Sequence, residues 1–563
     1  MSPKNTENGW SRRRFLGTLG AGAGLVAGGG YLLKRGLWQA HFGKAGSGLA
    51  LTEAQFPLTR ITDTAQTAFS GDHFMRPHSW LWQKEQKLRE KGGIPAPSET
   101  VSVVIVGGGI SGLASAWHLR EFKPLILEQD PQFGGNSKGE QWNDLKYSIG
   151  AAYVCPPDKG SKVEKFFQEI GIDKDWRHAG TDLVSDYIYE GKVSKGFWSG
   201  SSDPAQSGEF ARVGKIMKEI YDKKLPDFPP EKDAALSLDE LKALDAISFR
   251  DWYLQNLGPK THKHIEEFFE EYCWSSSGGT MAELSAAQVL AFLGSDLQGI
   301  AVFPGGNAAI SHAVLGKLVS ALPPSHLRGG ALVIDVTNRP DGVAVCYEMP
   351  DGTLKTVLAK TCIMTCAKFI AKKLISKIPP DQFEAMSRLR YRSYLVANVL
   401  IKTKLESPTY DCFRLTGQVP GAPDEEFSKI PYTDFVFGGW AAHDQPGQSV
   451  ITLYKGLAFD TGRNAIYLPD AFANAQKSFA ASIPDLVKVV GVHPDQISGV
   501  RVARWGHPLP LGEKGLVANG IVQKAHQPIE RIFFAQQDNW ASPAFECAFG
   551  TSLEAAESAR KFL

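Results

Sequence analysis

Hydrophobic positions along the chain change period repeatedly, and each change marks an element. Residues 101–106 form an apolar run with Ser102 its only polar member, the composition of a strand buried on both faces. Ile110, Leu113, Ala114 and Trp117 then recur at helical spacing, so one face of a helix is apolar. Residues 125–127 are a second short apolar run, closed by Glu128. Residues 148–154 read as a short strand around Gly150. From 161 to 295 the pattern is mainly helical, with Phe166 and Ile170, Ile216 and Ile220, and Ile265 and Phe269 at helical spacing. A further strand, turn and helix open at Phe303, the helix running to about Leu322. Strands follow at 331–336, 343–347, 354–358 and 362–367, with Pro-Asp-Gly turns at 340–342 and 350–352. Later runs predict strands at 396–402, 435–440, 450–454 and 500–505, and a helix at 471–479. A core strand at 531–538 ends in polar residues, and a final helix opens at Pro543. Ahead of all this, residues 36–100 hold an aromatic cluster (74–82), a charged helical run (83–91) and a Pro-containing linker. Their expected use is to cover part of the fold.

Composition narrows the reading. At 563 residues two or more domains are expected, and 43% hydrophobic with 21% charged is an ordinary globular balance. A formal net charge of +1 gives no reason to propose a nucleic-acid partner. The seven cysteines contain no C-x-x-C pair and are expected to be mostly buried apolar residues. His262 and His264 are expected to be a surface pair, and no spacing predicts a metal site.

The N-terminus adds an address. Ser11-Arg-Arg-Arg-Phe-Leu-Gly17 resembles a twin-arginine export signal, followed by a Gly/Ala-rich stretch to about Leu33. Residues 1–35 are therefore set aside from the fold, with the export machinery as a partner and the periplasm or another extracytoplasmic face as the destination. Retention as a membrane anchor is the alternative.

Chemistry enters at the first strand–helix junction. Gly107, Gly109 and Gly112 form G-x-G-x-x-G between the 101–106 strand and the helix. The first permits a sharp turn, the second a close backbone approach to a pyrophosphate, and the third close packing of helix on strand. The helix N-terminus, with Ile110 and Ser111, offers N–H groups and a positive dipole end to phosphate. Glu128 lies at the offset where a carboxylate accepts hydrogen bonds from a ribose, and would repel a 2′-phosphate. NAD and FAD both satisfy these residues. Gly134-Gly135-Asn136 then allows a second close backbone approach.

Three separated blocks resemble the FAD-dependent amine oxidase superfamily, which includes phytoene desaturases and protoporphyrinogen oxidases. They are the fingerprint with Gly134-Gly135 behind it; Phe303-Pro-Gly-Gly306 with the strand through Val333; and Phe534-Ala535, Asp538, Glu546, Ala548, Thr551, Ala555 and Ala556 at the end. The resemblance implies an α/β fold, a Rossmann-type FAD-binding domain in discontinuous segments (101–160, 296–375 and 498–563), with an inserted α+β substrate domain (161–295 and 376–497). It implies FAD held by Gly107, Gly109, Ile110, Ser111, Gly112, Glu128, Gly134, Gly135, Asn136, Gly150, Ala151, Val333, Asp538, Phe545 and Ala548. Val333 would border the adenine, and 538–550 would close over the flavin.

The chain also departs from the family. Asn136 stands where Arg is usual, Gln536 and Cys547 where Gly is usual, and Ala544 where monoamine oxidases carry a cage aromatic, with Phe545 or Trp540 as substitutes. Lys514 is the candidate for the active-site lysine. The expected function is hydride transfer from a small-molecule substrate, first an amine, to flavin, with oxygen or a quinone as acceptor. The alternatives are dehydrogenation of an apolar substrate and a non-catalytic flavoprotein subunit. The pattern sets no catalytic residue and no oligomeric state.

Overall fold

The computed structural model describes residues 51–179, 186–221, 225–230, 236–297, 299–406, 409–416, 431–442, 447–457 and 459–563. The twin-arginine segment lies outside the described residues. No helix among them is long and apolar enough to cross a membrane.

One sheet carries the fingerprint. Its seven strands run in the order Leu327–Gly329, Leu125–Glu128, Glu99–Val106, Leu354–Met364, Gly342–Glu348, Leu332–Arg339, with Ile532–Phe534 also beside Leu354–Met364. Leu125–Glu128, Glu99–Val106, Leu354–Met364 and Ile532–Phe534 pair in parallel, while Leu332–Arg339, Gly342–Glu348 and Leu354–Met364 form antiparallel hairpins. The fingerprint helix Ile110–His118 and the final helix Phe545–Arg560 pack on this sheet in one apolar layer with Val103, Ile105, Ile126 and Ile363. The expected strands 354–358 and 362–367 are one strand. Lys360, which falls between the two runs, is exposed, with its Nζ 3.2 Å from the Leu563 carbonyl. A continuous pleat tolerates a charge on its open face.

The second sheet has eight strands, in the order Ser70–Gly71, Ile497–Pro510, Tyr391–Ile401, Ser449–Gly456, Asp434–Phe437, Asp411–Arg414, Asp186–Tyr189, Lys192–Ser194. Every residue of Tyr391–Ile401 is buried. The region 161–295 supplies helices Ser207–Tyr221, Leu238–Asp245, Phe249–Asn256, Lys263–Ser277 and Ala286–Leu297, but it is not purely helical. Asp186–Tyr189 and Lys192–Ser194 extend the sheet, and Arg177–Ala179 pairs with Ile300–Val302. Strands of three or four residues give too few alternating positions to stand out in sequence. The expected 148–154 strand is instead Leu145–Ser148, paired with Gly139–Trp142. Beyond Ser148 the chain turns against the Asn136 loop, where a Cβ on Gly150 would lie 2.2 Å from the Asn136 carbonyl.

The preamble is tied to the core. Ser70–Gly71 forms the sheet edge beside Ala503 and Arg504. Helix Met75–Glu90 buries Trp80 against Leu332, Ile334 and Cys346. Arg76 Nε donates to Glu348 at 2.9 Å and Lys84 Nζ to Asp335 at 2.8 Å. His262 and His264 are not a surface pair. His264 is buried, with Nδ1 2.9 Å from Ser202 Oγ, and burial lowers its pKa to about 4. No metal-binding group of His, Cys, Asp or Glu occurs among the described residues.

Candidate functional site

A cavity of about 1320 Å³ runs between the two sheets, and the fingerprint is its floor at one end. Gly107, Gly109, Ile110 and Ser111 line it. Gly107 adopts φ +116°, and a Cβ there would lie 2.5 Å from Thr365 Oγ1. Gly112 stands behind the wall. A Cβ on it would lie 2.0 Å from the Gly107 carbonyl, so its absence lets the helix start against the strand end. The Gly109 N-cap contributes no side-chain hydrogen bond, which leaves first-turn N–H groups available to a ligand.

Glu128 lines the cavity beside this loop. Its Oε2 accepts from the Gly108 amide at 2.6 Å and its Oε1 from the Asp130 amide at 2.8 Å. Burial pushes its carboxyl up from the ordinary range, against those hydrogen bonds. Gly134 stands behind the wall and donates its amide to the Gly108 carbonyl at 2.8 Å. Gly135, on the cavity, packs against Gly109, where a Cβ would come within 2.9 Å of the Gly109 Cα. Asn136, in the place of the usual Arg, donates Nδ2 to the Pro508 carbonyl at 3.3 Å and takes the Ala151 amide on its own carbonyl at 3.0 Å. Gly150, Ala151 and Val333 also line the cavity.

Beside this end stands an ionic group that the spacing did not reveal. Asp130 Oδ2 lies 2.6 Å from His73 Nδ1 and 3.1 Å from Lys138 Nζ. Burial works to raise its carboxyl, but Lys138 and His73 hold it well below the usual range.

The final helix meets the cavity with its N-terminus. Ala544, Phe545, Glu546 and Ala548 line it, and Ala544 provides no side-chain cap. Glu546 Oε1 accepts the Cys155 amide at 2.7 Å. Phe545 stacks on Phe549 at 5.9 Å and 11°. Asp538 corrects its expectation as a cofactor contact. It lines no part of the cavity, is fully buried, and accepts from Lys368 Nζ at 2.5 Å, the Lys368 amide at 2.6 Å and Tyr391 Oη at 2.7 Å. The carboxylate balances a buried ammonium, which is costly to leave alone. Trp540 is likewise off the cavity, against Phe228 and His526. Lys514 is no active-site lysine: it sits half-exposed, 3.9 Å from Asp251.

The other end of the cavity is a sheet face. Tyr394, Val396, Tyr454, Asp434, Phe413 and Asp411 line it. They come from four neighbouring strands, with Tyr454 opposite both Val396 and Asp434, and Asp434 opposite Phe413. Tyr394 and Tyr454 lie 6.0 Å apart at 63°. These two rings give this end of the cavity an aromatic surface. Sequence reasoning missed it, although period-two alternation through Tyr394 and Val396, and through Asp434 and Val436, is visible once the strands are known.

A model for a Rossmann-like NAD(P)-binding domain matches residues 105–170. The oxidoreductase PigB of Serratia sp. is 23% identical over 514 residues, 81% of this chain and 75% of that one. A flavin-containing amine oxidase A of Sus scrofa is 26% identical over 172 residues, 30% of this chain and 31% of that one. In three dimensions a triple mutant of putrescine oxidase, redesigned in cofactor binding, aligns with a TM-score of 0.60 at 15% identity, over 83% of this chain and all of the other. The chain has the fold of putrescine oxidase. The mixed α/β architecture, with a Rossmann-type unit at the fingerprint, follows from that alignment and from the sheet order above.

Proposed function

We propose that the chain is an FAD-dependent oxidoreductase that oxidises an amine at the C–H next to nitrogen. The observation that carries this reading is the cavity itself. It joins a dinucleotide fingerprint, the uncapped start of a helix and an aromatic, carboxylate-bearing sheet face in one space. The residues present fit FAD. Gly107 and Gly135 let the loop main chain pack where any Cβ would collide, 2.5 Å from Thr365 Oγ1 and 2.9 Å from the Gly109 Cα, and Glu128 stands beside this loop as a buried acceptor.

Gly109, Ile110 and Ser111 hold the pyrophosphate through backbone N–H groups. Glu128 would accept ribose hydroxyls, and Val333 would border the adenine. When bound, FAD supplies the two-electron acceptor for a substrate hydride. The N-terminus of Phe545–Arg560 places positive dipole density where negative charge accumulates. Val396, Val436, Phe413 and Phe292 keep water from the reacting C–H. Anaerobic titration of the flavin-loaded protein with a panel of primary and secondary amines tests the proposal. Bleaching of the flavin by at least one amine is the expected result, and a flavin that no amine reduces would end it. Peroxide release in air then separates oxygen from a quinone as acceptor.

A second reading is favoured by the same apolar wall: dehydrogenation of an activated C–C unit in an apolar substrate. Bleaching by neutral substrates but by no amine would select it. The reading also has the protein exported through its twin-arginine segment. Replacing Arg12 and Arg13 by Lys should leave it in the cytoplasmic fraction, and unchanged export would contradict this.

A further inference from the structure

We infer that Asp434 docks a protonated nitrogen of the substrate, so that the cavity selects cationic nitrogen bases with an apolar body and rejects amino-acid zwitterions. The inference rests on the reading of this cavity as the substrate site and adds the substrate class to it.

Asp434 lies on the sheet face that ends the cavity, 4% exposed. Its Oδ1 is fully used, accepting from Ser275 Oγ at 2.7 Å and from Thr433 Oγ1 at 2.5 Å. The described residues offer no hydrogen-bond donor to Oδ2 and no ion pair to the carboxylate. The carboxylate faces the cavity, and a cation bound there would give it the charge partner that it lacks. The residues lining the cavity from this sheet include no lysine or arginine, which leaves this end of the cavity open to a cation from outside the chain.

The surroundings define that cation. Tyr394 donates its hydroxyl to the Ser275 carbonyl at 3.1 Å and Tyr454 to the Gly150 carbonyl at 3.4 Å. Their hydroxyls are thus committed to backbone, and what they offer a ligand is aromatic surface, which attracts a cation within about 6 Å of a ring centroid. Asp411 adds a second carboxylate to the same face. Val396, Val436 and Phe413 surround these groups with apolar surface. An ammonium or iminium nitrogen would sit against Oδ2 with its hydrocarbon body on the valines and Phe413, and an ammonium would pass one N–H proton to Oδ2 before its neighbouring C–H gives up a hydride. A zwitterion would bring its own carboxylate against Asp411 and Asp434.

The test uses the flavin-loaded full chain and reads binding from the flavin difference spectrum. The probes are heptylamine, its neutral isostere heptan-1-ol and the zwitterion 2-aminooctanoic acid. Wild type should bind heptylamine about tenfold or more tighter than the other two, the scale of a buried charge pair. Asp434→Asn keeps an acceptor for Ser275 and Thr433 and should abolish the preference with heptan-1-ol affinity unchanged. A preference that survives in Asp434→Asn, or is absent from wild type, overturns the inference.

A wild-type pH series stands independently of that variant's folding. Burial raises the Asp434 carboxyl to about 6, opposed by the Thr433 and Ser275 hydroxyls. Glu271, Tyr394, Tyr410, Tyr454 and Cys412 are the titratable groups that feel its charge, and Asp411 shares its face. Burial raises the three tyrosine hydroxyls and the Cys412 thiol further above that pH, and it raises the Glu271 carboxyl as well. The preference for heptylamine, which stays charged throughout, should fall as pH drops through about 6. A flat profile counts against Asp434. Tight amine binding without bleaching would leave this inference standing and remove amine oxidation, whereas bleaching that Asp434→Asn does not impair would do the reverse.

Discussion

The two ends of the cavity are built from different materials. At the fingerprint, recognition is made by backbone: Gly107, Gly109 and Gly135 bring main chain to the surface, and the absence of side chains is what makes the site. At the sheet face it is made by side chains: Asp434, Asp411, Tyr394 and Tyr454 project from four separate strands. A dinucleotide needs the same turn in any protein, so the fingerprint keeps a fixed spacing. A substrate pocket needs only that the right groups share a face, so its residues follow no spacing along the chain.

The largest effects should come from breaking the backbone end. Gly112→Val would press a side chain into the Gly107 carbonyl, 2.0 Å from the position of its Cβ. The expected outcome is soluble protein without flavin, or none at all, scored by absorbance against protein content. Full flavin occupancy would break the account of that end.

The support behind the cavity comes next. Asp538→Ala strands the Lys368 ammonium in a site where both side chains are fully buried. The expected loss is about 3–5 kcal/mol in denaturant unfolding. Asp538→Leu combined with Lys368→Met should recover much of it, and equal losses in the single and double variants would count against the pairing.

A pH effect of middle size follows from two histidines. Burial lowers His118 and His526 to about 4. The unfolded chain takes up their protons first as pH falls, so their contribution is complete above about 6.5 and is lost between there and about 4. Unfolding midpoints across that window should fall with pH, and His526→Gln should flatten the slope. The smallest effect contrasts both ends with the surface: Lys514→Ala should leave flavin reduction unchanged and stability within about 0.5 kcal/mol. A large loss of activity would restore it as an active-site lysine.

The asymmetry between the ends also accounts for what the sequence made legible. The parallel strands, the fingerprint helix, the acid Glu128 and the final helix are continuous segments whose periods and spacings survive in one dimension. Asp538 was rightly singled out but wrongly placed, because its partner Lys368 lies 170 residues away and no local pattern joins them. The expected 148–154 strand failed because Gly150 answers to the Asn136 loop rather than to a ladder. The acid and aromatic groups of the sheet face were hidden for the same reason: alternation showed strands, but only their register puts Tyr454 between Val396 and Asp434.

The most direct test of the account is what the purified protein carries. Its visible spectrum should show oxidised flavin, and the cofactor released on denaturation should be FAD in stoichiometric amount, retained in Asp434→Asn and absent from Gly112→Val. A colourless wild-type protein that does not take up FAD, or one that releases NAD instead, would contradict it.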